Sequence, residues 1–279
     1  MQESVSYVNV LIKIINFLPR SWLAKIGNSR FSSTIINQIR KKGFKKWYEL
    51  DYGIKIYFDP TDPHLIDMIN GRDPEKNVKE IFLANINSGS IIIDVGANIG
   101  DYTLIASKKV GDSGKIYSFE PLEETFSLLQ RNIVLNQTKN CIAINKAIGE
   151  KNGISTLYKI NASGTMGHLD SKLNEKDLLK HKEIQVTSID DIVKSEQISQ
   201  IDMIKIDVEG FEHEVLLGCQ DSFKKNIIKK ILCEVHFKYL ESKGKDENTI
   251  FDMLQRNGFI IQEISKRTPN RVHILAKLR

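Results

Sequence analysis

The chain has 279 residues, 41% hydrophobic and 27% charged, an ordinary globular composition with enough length for a sizeable core in one main domain with an appendage. Its three cysteines, Cys141, Cys219 and Cys233, are odd in number, form no C-x-x-C pair and lie beside no histidine cluster at zinc spacing, which suggests neither a disulfide framework nor a structural zinc site and points to a reducing, cytosolic context. The formal charge of +5 is uneven: residues 1–48 hold nine Lys/Arg against Glu3 and carry +8, while the other 231 residues, with 31 bases and 34 acids, carry −3, so the basic character does not describe a nucleic-acid-binding catalytic domain.

The arm, residues 1–48, places Val5, Val8, Ile12 and Ile15 at helical spacing and is expected to be a basic amphipathic helical segment. Its apolar run is too short and interrupted to span a bilayer, and no positive n-region precedes it. A helical layer packed on the domain, a surface resting on anionic lipid at the inner face of the membrane, and a partner-binding segment all remain open. A lead-in over residues 49–89 follows. It holds a short strand in YGIKIYF (52–58), turns at 59–63 and 70–74, and a helix over about 75–84 with Val78, Ile81 and Phe82 on one face.

The main domain, 90–279, alternates strand and helix. Strands are predicted at 91–95, 115–119, 141–145, 203–207 and 228–235, each apolar enough to be buried on both faces. Helices are predicted over 100–109 and from Pro121 onward, where a missing N–H costs nothing and Leu122, Phe126, Leu129 and Ile133 form a stripe. Residues 154–160 and 183–187 look like extra strands around a polar loop, 162–179, which suits either a substrate lid or a surface excursion. A helix over 246–257 ends at Gly258, and FIIQEIS and RVHILAKL then flank a five-residue turn. Strands joined this tightly are antiparallel. The fold class is therefore α/β, a doubly wound, mostly parallel sheet with one reversed strand near its edge.

DVGANIG, residues 94–100, supplies a strand ending in Asp94 and a glycine turn that leads into a helix. A dinucleotide fingerprint would need glycine at 96, 98 and 101; the chain has Gly96, Asn98 and Asp101 there, so the fingerprint fails. Asp94 suits a cationic group better than a pyrophosphate. Asn98 tolerates a positive φ where glycine would otherwise be required. Glu120, at the tip of the next strand, is placed to accept both ribose hydroxyls of a nucleoside. Asp94 and Glu120 together describe a pocket for a ribose and a positively charged amino-acid portion, which is S-adenosylmethionine.

The segments DVGANIGDYTL, YSFEP, KIDVEGFEHEVLLG and LCEVH resemble the successive motifs of FkbM-type methyltransferases, in the class I S-adenosylmethionine-dependent superfamily, over about residues 50–279. The resemblance implies a seven-stranded sheet with its seventh strand reversed, and methyl transfer to a hydroxyl oxygen of a natural product or sugar. It also implies that Asp94, Gly96, Ala97, Asn98, Gly100, Tyr102 and Thr103 line the methionine side of the cofactor, that Glu120 holds the ribose with Pro121 beside it, and that Ala147 lies near the adenine. The run Gly71–Glu75 departs from the family pattern, which leaves the place of Glu75 open.

A hydroxyl needs a group to take its proton, and the groups able to do so lie just past the ends of the fourth and fifth strands. Asp207 and Glu209 in IDVEGFE, and Glu234 and His236 in CEVH, are the candidates. They suit a metal-free base, His236 or Asp207, in preference to a magnesium-type site, although three carboxylates and an imidazole are also compatible with a divalent metal. Glu212 and His213 are expected on solvated turns of a helix. A catalytically inactive S-adenosylmethionine-binding module would be expected to have lost some of these residues, and a nucleic-acid methyltransferase would carry N/D-P-P-Y/F where this chain has D-V-E-G. The expected acceptor is a small molecule, glycan or glycolipid, not a nucleic acid.

Overall fold

In the computed structural model the described residues are 47–57, 68, 73–160, 167–168, 178–242 and 244–279. The arm's apolar stripe and most of the 162–179 loop lie outside them. Among the described residues no helix is long and apolar enough to cross a membrane.

The lead-in contributes β1 (Tyr48–Glu49) and β2 (Lys55–Ile56), an antiparallel pair, and α1 (Lys76–Ala84). The strand expected over 52–58 is shorter than its alternation suggested, because Asp51–Gly53 forms a 3-10 turn in which Tyr52 has φ 66°. The side-chain amides of Asn132 and Asn136, one helical turn apart, complete β2 as a neighbouring strand would. Asn132 accepts from Tyr57 N–H at 2.6 Å and donates to Tyr57 O at 3.1 Å; Asn136 does the same for Lys55 at 2.8 and 2.6 Å.

The main sheet begins with β3 (Ile91–Val95), α2 (Asp101–Val110), β4 (Lys115–Phe119), α3 (Glu123–Leu135) and β5 (Cys141–Ile144). Pro121 lies outside α3, whose N-cap is Leu122, because the backbone there is still extended. A second sheet follows, made of β6 (Ala147–Ile148), β7 (Gly153–Ile160), β8 (Gly167–His168) and β9 (Leu178–Thr187) in the order β6-β9-β7-β8. The second extra strand starts five residues before the predicted 183, since β7 supplies a long antiparallel partner from Gly153↔Val186 to Ile160↔Leu178. The chain then continues through α4 (Ile189–Ser195), β10 (Met203–Ile206), α5 (Glu212–Leu217), α6 (Gln220–Lys224), β11 (Lys230–His236), α7 (Phe237–Ser242), α8 (Glu247–Arg256), β12 (Phe259–Glu263) and β13 (Arg271–Leu278).

The seven-stranded order is β12-β13-β11-β10-β3-β4-β5, with β13 antiparallel to both neighbours and the remaining pairs parallel. Successive side chains face opposite sides. Ile93, Val95, Ile204, Ile206, Ile231 and Cys233 pack with Val215, Leu216, Ile250 and Leu254 of α5 and α8. Ile92, Met203 and Leu232 pack with Phe82 and Leu104 of α1 and α2 and with Ile54 of the lead-in. Asp94, Lys205 and Glu234 alternate in step with this second set, so the sheet itself directs three charged side chains toward α1 and α2, near its C-terminal edge.

Candidate active site

Gly96 (φ 76°), Asn98 (φ 50°) and Gly100 (φ 97°) are all left-handed, so the turn after β3 has the conformation expected at Asn98. Protein neighbours explain the two glycines. A Cβ on Gly96 would stand 2.0 Å from the carbonyl oxygen of Asp207, and one on Gly100 would stand 2.6 Å from Leu129 Cδ1. The turn is thus wedged against the loop that follows β10. It is also tied to β4: the amides of Gly96 and Ala97 donate to Phe119 O, and that of Asn98 to Glu120 Oε2 at 3.1 Å. Glu120 Oε1 accepts from Leu122 N–H at 2.9 Å. Burial raises the Glu120 pKa to about 7 even though both amides and the Lys205 charge oppose the shift. The Asn145 amide donates to the carbonyls of Glu120 and Pro121, and Ala147 is buried against Leu157 and Ile184.

One step deeper lies Asp94, only 1% exposed. Its Oδ2 accepts from Thr103 at 2.7 Å, and the Thr103 hydroxyl also meets Ser118 at 2.8 Å. Its Oδ1 has no hydrogen bond and stands 3.6 Å from Lys205 Nζ. Burial pushes the Asp94 pKa up, against Lys205 and the Thr103 hydroxyl. The Lys205 ammonium also donates to Gly96 O at 3.1 Å and to Asp207 Oδ2 at 3.4 Å, and stands 5.0 Å from the Tyr102 ring centre. Burial works against its charge, but Asp207, Asp94, Asp101 and Glu75 outweigh burial and keep it protonated. The Tyr102 hydroxyl donates to Glu75 Oε2 at 3.1 Å, which brings the residue left open by the sequence into the site. Beneath it, buried Lys79 pairs with Asp73 at 2.7 Å and Asp101 at 2.9 Å. Neither lysine was singled out from the sequence, although Lys205 inside the apolar strand MIKI carried a signal, because a charge buried in a sheet requires a partner.

Past β10 and β11 the four predicted catalytic residues converge. One donor atom each of Asp207, Glu209 and His236 lie within 4.8 Å of one another, as do those of Glu75, Glu234 and His273. His236 Nε2 is 3.4 Å from Glu209 and 3.8 Å from Glu234, whose other oxygen is 2.6 Å from Arg271 Nη1. Glu212 corrects the sequence reading. It is fully buried, and its Oε1 lies 2.8 Å from His236 Nδ1. The preceding turn, with Glu209 at φ 52° and Gly210 at φ 99°, delays the helix start to Glu212 and folds that side chain back under the sheet edge. His213 likewise meets Lys245 Nζ at 2.7 Å and is not simply solvated.

These charges set the protonation pattern. Burial opposes the charge of His236, but the hydrogen bond to Glu212 and the carboxyls of Glu212, Glu209 and Glu234 raise its pKa to about 9. Burial and Asp207 lift Glu234 to about 8. For Asp207, burial is outweighed by Lys205, His236 and His273, which hold it below the usual carboxylate range.

Residues 94–261 match the family model of the methyltransferase FkbM domain. The chain belongs to the FkbM methyltransferase family. Methyltransferase 1 of Beauveria bassiana is 29% identical over 205 residues, covering 66% of this chain and 80% of that protein. The hexuronic acid methyltransferase AglP of Haloferax volcanii is 25% identical over 174 residues, covering 58% and 62% respectively. The 31-O-demethyl-FK506 methyltransferase FkbM of Streptomyces tacrolimicus is 25% identical over 177 residues, covering 54% and 67%.

An FkbM methyltransferase of this kind depends on S-adenosylmethionine, and the residues present fit that donor. Asp94 Oδ1 is buried without a hydrogen bond beside the glycine turn, and Glu120 presents a carboxyl at the adjacent strand tip. The surrounding carboxyls, which include Glu75 and Asp207, suit a cation. Asp207, Glu209 and His236 have the ligand types of a divalent-metal site as well as those of an acid/base group. Lys205 already neutralises Asp207, and the imidazole edge of His236 lies between Glu209 and Glu234.

Proposed function

We propose that this methyltransferase transfers a methyl group from S-adenosylmethionine to a hydroxyl oxygen of a sugar, glycan or natural-product acceptor, with His236 as the general base. The observation that carries the reading is the convergence of His236, Asp207, Glu209 and Glu234 on the same sheet edge as Asp94 and the glycine turn. Two relatives support the acceptor class by their names, one a hexuronic acid methyltransferase and the other acting on 31-O-demethyl-FK506.

When bound, S-adenosylmethionine supplies an electrophilic methyl group on a positively charged sulfur. Asp94, the 96–100 turn, Tyr102 and Thr103 would hold its methionine side, and Glu120 its ribose. The chain's own task is to orient the acceptor and take its proton. Holding an oxygen in line with its target contributes ~7 to 11 kcal/mol of barrier reduction. Between the two candidate bases the pKa decides: once deprotonated, an imidazole with a pKa of about 9 is a far stronger base than a carboxylate held below its usual range, so turnover is expected to rise as pH approaches 9. Asp207 then serves as a hydrogen-bond acceptor that positions the hydroxyl. The test is transfer of tritiated methyl from S-adenosylmethionine to fractionated glycans and polyketides. Labelling of a hydroxyl that is lost with Asp94→Ala and His236→Ala supports the reading; labelling confined to nitrogen, or to nucleic acid, refutes it.

A further inference from the structure

We infer that Glu212 is a positioning residue for His236, so that the two form a buried carboxyl–imidazole dyad which turns Nδ1 inward and presents Nε2 to the acceptor. The inference rests on the reading of His236 as base.

Glu212 Oε1 meets two donors, the Gly210 amide at 2.8 Å and His236 Nδ1 at 2.8 Å, and the residue has no exposed surface. Burying a carboxyl is costly, and it persists where a specific polar partner makes use of it. The backbone that places it is strained: Glu209 is a non-glycine residue in the left-handed region, directly followed by left-handed Gly210. That pair of residues sends Glu209 toward Nε2, 3.4 Å away, and returns Glu212 to Nδ1, so two carboxyls three positions apart in VEGFE address the two edges of one ring. A regular helix through this segment would put both on one exposed face.

The other charges around the ring come from every neighbouring element. Lys205, Asp207 and Glu209 lie on or just past β10, Glu234 on β11, Arg271 and His273 on β13, and Glu75 before α1. Glu209 and Glu234 stand at Nε2, the ring edge proposed to meet the acceptor hydroxyl; Glu212 stands at Nδ1, on the other edge. In the neutral ring, above the midpoint, Nδ1–H is donated to Glu212 and Nε2 keeps its lone pair for the incoming proton. In the transfer step the acceptor O–H bond breaks and an Nε2–H bond forms, and the positive charge of the ring is balanced through Nδ1. Glu212 itself neither gains nor loses the proton.

The test follows the ring nitrogens of His236 by NMR in the full chain labelled with 15N-histidine, assigned by His236→Gln, in wild type, Glu212→Gln and Glu212→Asp. The dyad predicts an Nδ1–H tautomer above the midpoint in wild type, a midpoint lower by about one unit or more in Glu212→Gln, toward the ordinary ~6.5, and a smaller shift in Glu212→Asp. The pH dependence of methyl transfer to the fraction that wild type labels should move to lower pH by the same amount in Glu212→Gln. Its kcat should fall by about tenfold or more, and KM for S-adenosylmethionine should stay within about threefold. An unmoved midpoint overturns the proposal, as does a moved midpoint with an unmoved rate profile. If Glu212→Gln does not fold, the Glu212→Asp midpoint decides in the same way. Failure of wild type to label any hydroxyl refutes the hydroxyl reading, while the ring titration still judges the dyad separately.

Discussion

Lys205 on β10 and Asp94 on β3 are register partners across a parallel strand pair, with the ammonium 3.6 Å from Asp94 Oδ1. Ser118 on β4 extends the same row on the other side of Asp94. The pairing makes a buried lysine, 6% exposed, the common neighbour of the glycine-turn carbonyl, Asp94 and Asp207. Replacing Lys205 with methionine keeps the length of the stem but leaves the buried Asp94 and the partly exposed Asp207 without their cation. Breaking a buried pair from one side costs ~3 to 5 kcal/mol. The expected result is a loss of that order in urea unfolding of Lys205→Met, with part of it recovered when Asp94→Asn is added, because Asp207 is then the one carboxyl left without its cation.

Gly96→Ala tests whether the turn is wedged by the protein itself. The added Cβ would stand 2.0 Å from a backbone oxygen at φ 76°, so relief requires moving either β3's exit or β10's. A destabilisation of about 4 kcal/mol or more is expected, read as loss of soluble folded protein or a collapse in melting temperature. Normal folding with weakened donor binding would show that the glycine serves the ligand alone.

The parts of this fold that were legible in the sequence are those whose cause is local. Strands β3 and β4 were predicted to the residue because each is a five-residue apolar segment bounded by turn signals, and the reversed β13 followed from a connection too short for a crossover. What escaped is set by contacts between distant segments. Lys205 finds its partner across a strand pair, and Glu75 enters the site through the hydroxyl of Tyr102, 27 positions away. Glu212 was expected on a solvated turn because a regular helix through this segment would expose it, whereas two left-handed residues reset the helical phase. The β7–β9 pairing lengthened a strand that its own residues did not announce.

Glu120 should make donor binding depend on pH. Its pKa is raised to about 7, and accepting hydrogen bonds from a ribose favours the ionised form. Affinity for S-adenosylmethionine is therefore expected to be weak below pH 6 and to rise through pH 7 to a plateau above about 8. Titration calorimetry between these values measures it directly. Glu120→Gln should abolish the pH dependence and weaken binding by ~1.5 to 3 kcal/mol, the value of hydrogen bonds to a charged group. A pH dependence retained in Glu120→Gln would assign it to another group.

His236 should also leave a mark on folding stability, and its sign is opposite to that of acid unfolding. Its folded pKa is raised, to about 9 from an ordinary 6.5, so the folded state binds this proton more tightly than the unfolded chain does. The stabilisation is fully present below the unfolded value and is lost as pH rises from about 6.5 through 9. At 1.36 kcal/mol per unit the loss is on the order of 3 kcal/mol for this nearly buried side chain. Glu120 and Glu234 decline in the same direction, but as carboxyls raised to about 7 and 8 they begin to do so from their lower unfolded values. Urea unfolding of wild type and His236→Gln at pH 6.5 and 9.5 separates the contributions. The wild type is expected to lose more stability than the variant over this interval, and equal losses would show that the imidazole is not held protonated by its carboxyl neighbours.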